Sequence, residues 1–379
     1  MAIYLDHAAT TRVCPAAVKA ALHVMTEAYG NPSSRHRLGA DAAAALTEHR
    51  SQIAQALSCQ AEELFFTSGG TEADNWAVSI ATQRNRRVGR HIITTAVEHS
   101  AVLEPIRALE QQGYAVTYLL PDKTGHISIA QLEDALREDT ILVSMMLVNN
   151  ETGCLFPVKE ASELLRTHQS KALLHTDAVQ AFLKIPFSPS ELGVDLLSIS
   201  AHKIGGMKGS GALFVRKGLS IPPFLLGGGQ EQGLRSGTEA TPQIAAFAAA
   251  STLGRLEYSD RLKQLKEIKS YTIQSLPQRI PGLVMVSEGD APHICAISLP
   301  GFPSEMLVRS LSDRDIFVSS GSACHKGKPS HVFAAMKLPP KVSMGILRVS
   351  FSPDTQKEDI DTLCQALLEI SHTRVSAKV

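Results

Sequence analysis

The sequence predicts an α/β fold, with a large domain on a mostly parallel seven-stranded sheet covered by helices on both faces and a second, smaller α/β domain. Between about Glu63 and Arg216, seven short β-branched or apolar runs alternate with longer helical patterns. Strands parted by helices pack as a largely parallel, doubly covered sheet. At 379 residues the chain also exceeds the usual size of one compact core, so two domains are expected, one of them split in sequence. The expected division is 14–245 for the large domain, with 1–13 and 246–379 forming the small one.

Two helical patterns come first, Ala16 to Tyr29 and Gly39 to Leu57, parted by Gly30-Asn31-Pro32-Ser33-Ser34, whose breakers make a structured loop. The strand-like runs then follow as 64–67, 91–94, 115–118, 141–144, 172–175, 196–199 and 212–215. A long helical stretch, Thr241 to Ser275, begins rich in Ala and becomes charged and amphipathic, as suits a helix that leaves one domain for another. The remainder reads as a strand (Ile294 to Leu299), a helix (Ser304 to Arg314), a Ser/Gly-rich loop over about 319–331, a strand (Leu347 to Phe351) and a helix (Thr355 to Ile370).

Composition narrows the partners. Hydrophobic residues at 44% and charged residues at 20% describe an ordinary globular chain. Lys plus Arg balances Asp plus Glu at 37 each, so no bulk field draws the protein to nucleic acid or an anionic membrane. No basic segment followed by an apolar run opens the chain, and no stretch reaches bilayer-spanning length, so a cytoplasmic location is expected. The six cysteines, Cys14, Cys59, Cys154, Cys295, Cys324 and Cys364, are scattered without C-x-x-C pairs or histidine clustering. That pattern argues against a disulfide framework or a structural metal site.

Four strand ends carry chemistry. Ser200-Ala201-His202-Lys203 puts a lysine capable of Schiff-base formation where open α/β sheets bind ligands. His175-Thr176-Asp177-Ala178-Val179-Gln180 offers an acid for a protonated pyridine nitrogen and an amide for a ring hydroxyl. Thr67-Ser68-Gly69-Gly70-Thr71-Glu72 opens a helix with free N–H groups suited to phosphate, and lacks the lysine of a nucleotide loop. Ala96-Val97-Glu98-His99 sets a histidine before a helix, where it can stack on a ring and exchange protons. Each has an ordinary alternative: a solvated surface lysine, helix caps, a satisfied histidine. Together the four make a coherent cofactor site.

Over nearly its whole length the chain resembles the cysteine desulfurases of the NifS/IscS subfamily, within the class V aminotransferase family. The matching segments are Tyr4-Leu5-Asp6-His7-Ala8-Ala9-Thr10-Thr11, Gly30-Asn31-Pro32-Ser33-Ser34, Thr67 to Asn75, Ala96 to His99, Val148 to Gly153, Asp177 to Gln180, His202-Lys203, Arg235-Ser236-Gly237-Thr238 and Ser319-Ser320-Gly321-Ser322-Ala323-Cys324. The resemblance implies the fold type I (aspartate aminotransferase-like) of pyridoxal-phosphate enzymes, with pyridoxal 5'-phosphate as cofactor. It makes Lys203 the residue that carries the cofactor, Asp177 the partner of its pyridine nitrogen, Gln180 the partner of its ring oxygen, and His99 its stacking residue and proton carrier. Thr71, Ser200 and His202 become phosphate ligands, Gly70 a further cofactor-binding residue, and Thr238 a phosphate contact from a second subunit, hence a homodimer. Arg348 becomes the clamp on the substrate carboxylate, and Asn150 a second contact on the cofactor and substrate side.

The implied reaction converts L-cysteine to L-alanine and leaves the sulfur as a persulfide on Cys324, from which it passes to an acceptor protein. A scaffold for iron-sulfur cluster assembly, a tRNA-thiolation enzyme or a cofactor pathway are the destinations expected, with no direct nucleic-acid contact. His325, Lys326 and Lys328 beside Cys324 favour its thiolate. Two departures stand out. His7 replaces the Asn usual near the start. Cys324 is followed by His325-Lys326-Gly327-Lys328-Pro329-Ser330-His331, where members serving a general scaffold have a Thr-Ser-rich segment and Pro-Ser-Tyr. The rival readings are another pyridoxal-phosphate enzyme of this fold, such as a selenocysteine lyase or an aminotransferase, and a non-catalytic binding subunit.

Overall fold

The computed structural model describes residues 2–321 and 330–373. After the short β1 (Ile3–Tyr4) come β2 (Leu64–Thr67), β3 (His91–Thr95), β4 (Ala115–Leu119), β5 (Thr140–Ser144), β6 (Leu173–Asp177), β7 (Leu196–Ser200) and β8 (Gly211–Val215). β2 to β8 form one seven-stranded sheet in the order β2-β8-β7-β6-β5-β3-β4. Only β8 is reversed: it pairs antiparallel with β2 and β7, and every other pairing is parallel. The C-terminal ends of β2, β3, β5, β6 and β7 therefore open on one edge.

Consecutive strand residues point to opposite faces, and both faces are covered. Ile92, Leu173, Leu196 and Leu213 join one core with Trp76 and Ile80 of the helix Gly70–Arg84 and Ile106 of the helix Ser100–Gln111. Their neighbours Ile93, Leu174, Leu197 and Phe214 join the other, with Ile53 and Leu57 of the helix Arg37–Leu57 and Phe247 of the helix Thr241–Leu256. Each such side chain stabilises the fold by roughly 1.5–3 kcal/mol, which is why these strands read as unbroken apolar runs.

The remaining strands are β9 (Val284–Ser287), β10 (Ile294–Ser298), β11 (Ile316–Phe317) and β12 (Ile346–Ser350). β12, β10 and β9 make a three-stranded antiparallel sheet, and β11 pairs with β1. Leu5, Leu265, Ile297, Leu347 and Leu363 share a separate core there. The N-terminal segment links this sheet to the larger one: Ser350 N–H donates to Leu5 O at 2.8 Å, and Thr11 N–H donates to His202 O at 3.0 Å.

The single helix expected over 241–275 is instead two, Thr241–Leu256 and Tyr258–Arg279, with Glu257 at φ −97° and ψ 10° between them. The first buries Ile244 and Phe247 in the large core and the second buries Leu265 and Leu276 in the small one. One straight axis does not serve both, and no Gly or Pro marks the joint. Among the described residues no helix is long and apolar enough to cross a membrane.

Candidate active site

The phosphate-suited end is built by β2 and the helix behind it. Gly69, at φ +154°, turns the chain from the strand into the helix Gly70–Arg84, a conformation that L side chains rarely adopt. No side chain caps that helix, so its first N–H groups remain available to an anion. A Cβ on Gly70 would lie 2.9 Å from Val179 Cγ2, which keeps this wall bare backbone. Glu72 accepts from Ser68 N–H at 2.9 Å and from Arg235 at 2.7 and 3.0 Å. Burial acts to raise its pKa, but these hydrogen bonds outweigh it and hold the carboxyl below its ordinary value.

From β7, Ser200, His202 and Lys203 face the same space. Burial and the charges of Lys203 and Lys184 push His202 down to about 4, and this neutral ring contacts Thr10 Oγ1 through Nδ1 at 3.1 Å. Lys203 Nζ donates to Ala8 O at 2.6 Å and Ala9 O at 2.7 Å. Asp177, the last residue of β6, accepts from Val179 N–H at 2.9 Å. Burial, then the charge of Asp74, pushes its pKa up to about 7. Asp74 is itself pushed up to about 7 by burial, and Glu98 well above the ordinary range. A cation against Asp177 opposes that effect and favours its ionised form.

His99 caps the helix Ser100–Gln111, its Nδ1 accepting from Ala101 N–H at 3.2 Å. A neutral His99 therefore carries its hydrogen on Nε2. Burial lowers its pKa, with Asp177 acting to raise it and Lys203 to lower it. Gln180 donates to Ala8 O at 2.9 Å and turns its oxygen toward Lys184 Nζ (3.5 Å) and His293 Nε2 (3.4 Å). Arg348, 2% exposed on β12, donates to Asp6 Oδ1 at 2.7 Å and Asn150 O at 2.9 Å. Among the described residues its Nε has no partner.

A model of the aminotransferase class-V family matches residues 3–363. The cysteine desulfurase IscS of Methanosarcina thermophila is 40% identical over 375 residues, spanning 97% of this chain and 92% of that protein. The chain belongs to the class-V aminotransferases, among their NifS/IscS-type cysteine desulfurases. A cysteine desulfurase of Nostoc sp. is likewise 40% identical over 374 residues, 97% of this chain and 92% of its own length. A solved NifS-like protein superposes with a TM-score of 0.92 at 35% identity, covering 98% of this chain and 99% of that one. A second solved chain, SspA in complex with cysteine, gives 0.81 at 31% identity over 93% of this chain and 99% of its own.

Class-V membership implies pyridoxal 5'-phosphate, and the residues present fit it. An uncapped helix end, a buried acid and a lysine line one cavity of about 280 Å³. Every cofactor and substrate residue expected from the sequence lines it except Thr238, which is exposed and outside it. Cys324, with His325, Lys326 and Lys328, lies outside the described residues. The chain on its C-terminal side is anchored close by: Ser330 Oγ donates to the buried Glu151 carboxylate, and His331 Nε2 donates to Glu98 O at 2.9 Å.

Sequence reading missed several members of this desulfurase site. Asp74 lies one helical turn beyond Gly70, a spacing that puts both on one helix face, and His175 Nε2 sits 3.5 Å from it. Met146 and Val148 line the cavity after β5, where sequence reading assigns Met146 no role and places Val148 only at the start of a matching segment. Behind Lys203 a second cavity of about 420 Å³ is lined by His7, Lys184 and His293. His7 packs edge-on against Tyr4 at 4.8 Å, and burial with the charge of Lys184 pushes it down to about 4.

Proposed function

We propose that the protein takes sulfur from L-cysteine, releasing L-alanine and leaving a persulfide on Cys324. The Cβ–S bond of the substrate breaks, an S–S bond to Cys324 forms, and the thiol hydrogens are redistributed, so that cysteine plus a thiol gives alanine plus a persulfide. The observation that carries this reading is the meeting of Lys203, Asp177, His99 and Arg348 in one cavity of a chain from this family. The similar SspA chain, solved in complex with cysteine, supports the choice of substrate.

Bound pyridoxal 5'-phosphate supplies an electron sink for the substrate's Cα. Lys203 holds the cofactor and then moves the Cα proton. Asp177 keeps the ring nitrogen protonated and Gln180 meets the ring oxygen. Thr71, Ser200, His202 and the backbone at Gly70 hold the phosphate, with Thr238 of a second copy completing it in a homodimer. Arg348 would fork onto the substrate carboxylate beside Asn150, fixing the amino acid in the cavity. His99, kept neutral by burial, takes the substrate thiol proton on Nδ1, giving up its bond from Ala101 N–H, on the way to sulfur transfer.

In this reading residues 14–245, with the rest of the helix Thr241–Leu256 that packs in the same core, form the large domain, and 1–13 with the chain after that helix form the small one that brings Cys324 to the cavity. The persulfide then passes to an acceptor protein of the cytoplasm, in cluster assembly or thiolation. Cysteine turnover under reductant tests the reading. Wild-type protein yields alanine and sulfide in equal amounts, and Cys324→Ser loses sulfide release by at least about 100-fold. Unchanged release from the variant, or a keto acid in place of alanine, contradicts it and favours a lyase or an aminotransferase of the same fold.

A further inference from the structure

Away from the cofactor cavity, three metal-ligating side chains from distant segments meet. His126 precedes the helix Ile129–Ala135, Cys154 follows the turn at 149–153, and Asp290 lies between β9 and β10. Their donor atoms all lie within 4.8 Å of one another. Nothing in the cysteine and histidine spacing pointed here, because the three come together only through the packing of the large sheet's loops on the small sheet.

Hydrogen bonding prepares the imidazole. Asp122 Oδ1 accepts from the N–H groups of Thr124 at 2.8 Å and His126 at 3.0 Å. The Thr124 hydroxyl therefore gives its one hydrogen to Asp122 Oδ1 at 2.6 Å. Its 2.8 Å contact with His126 Nδ1 then requires the ring hydrogen on Nδ1. The other nitrogen, Nε2, stands 2.9 Å from Asp290 Oδ2. Two states satisfy this contact: an imidazolium paired with Asp290, or a neutral ring whose Nε2 lone pair shares a cation with that oxygen. A carboxylate, through Thr124, orients the ring in the manner of metal-site partners beyond the ligands themselves.

The other two donors are equally fixed. Leu155 N–H donates to the same Asp290 oxygen at 2.8 Å. Cys154 Sγ is buried, 3.4 Å from Thr124 O and 3.5 Å from Ser287 Oγ, whose own hydrogen goes to Thr152 O at 3.0 Å. The Cys154 thiol donates its hydrogen to Thr124 O, and a bound cation takes the place of that hydrogen.

We propose that His126 Nε2, Cys154 Sγ and an Asp290 oxygen form a binding site for a thiophilic divalent cation of the zinc class, with water as fourth ligand. Zinc takes N, S and O donors tetrahedrally with bonds of about 2.0–2.3 Å, so donors this close enclose it after shifts of under about 1 Å. On binding, the Cys154 thiol releases its proton to solvent, a metal–sulfur bond replaces S–H, and no electrons move. The exposed Asp290 gives water access to the fourth position. Cys154 adjoins the turn that bears Asn150, whose carbonyl holds Arg348, and Asp290 N–H donates to Gly153 O at 2.9 Å. The cation would thus tie the substrate-side turn to the small sheet.

Cobalt(II), a coloured stand-in for zinc, tests this on the cofactor-loaded Cys324→Ser protein, in which the persulfide thiol no longer competes for metal. The expected result is one cobalt per chain, with thiolate-to-cobalt absorption and the strong visible bands of four-coordinate cobalt, displaced by zinc. Cys154→Ser abolishes the thiolate band. His126→Gln, a partly exposed position that spares the core, weakens cobalt binding at least about 10-fold. Absence of the thiolate band from the Cys324→Ser protein, or unweakened binding in His126→Gln, overturns the proposal.

Discussion

His99 is held neutral by burial, and this sets how the proposed reaction responds to acid. The form that accepts a proton is lost as pH falls through the His99 pKa, which lies below the ordinary histidine value of about 6.5. The acid limb of kcat/KM for cysteine is therefore expected below about pH 6.5, and His99→Gln should remove that limb while lowering the plateau by roughly 10²–10⁴-fold. A pH–rate profile checks both, and a limb above 6.5 that survives in the variant would assign the proton to another group. Asp177 shows the opposite balance: burial and Asp74 both disfavour its charge, so its ionisation depends on a positive charge set against it, as the proposed cofactor's ring nitrogen would be. Sequence motifs named Asp177 and His99, yet Asp74, the buried carboxyl group that raises Asp177, and Glu98, whose own pKa Asp177 helps to raise, receive no role there. Their role depends on depth, which residue type alone does not encode.

At the scale of elements, the strand that leads into the turn before the helix Gly70–Arg84 is fastened from far away in sequence. Arg50, on the helix Arg37–Leu57, donates to Leu64 O at 2.7 Å and to both Glu231 oxygens at 2.8 and 2.6 Å. Glu231 also accepts from Phe66 N–H at 2.8 Å, in the edge strand β2. Glu231 is 6% exposed, so removing it leaves the Arg50 charge without its counter-ion and the strand amide without its acceptor. Glu231→Ala should lower unfolding stability by about 3–5 kcal/mol, read from urea denaturation at equal m-value, and a change under about 1 kcal/mol would show that the pair contributes little. Periodicity revealed the seven strands because each is apolar on both faces, and it revealed the helices that pack on them. It did not reveal the break at Glu257, the short β1 and β11, or the Arg50–Glu231 clasp, since these follow from which core each segment meets rather than from local pattern.

Across the whole molecule, one reversed strand and six parallel ones bring the loops after β2, β3, β5, β6 and β7 to a single edge, and the N-terminal segment and β12 close it from the small sheet. The fold class and the cavity's main residues were legible because each strand end bears its own short motif. The zinc-class site was not, because its ligands belong to no motif. The convergence on Lys203 is the centre of the account, and a rival stands close by. Lys184 is buried, its pKa pushed down to about 7 by burial and by the charges of Lys203 and Arg348, and it lies on the other side of Gln180. An uncharged amine is what attachment of an aldehyde cofactor requires. The most direct measurement is borohydride reduction of the protein loaded with pyridoxal 5'-phosphate, followed by peptide mass spectrometry. A pyridoxyl adduct on Lys203 alone is the result expected, and an adduct on Lys184, or on several lysines with none dominant, would contradict it.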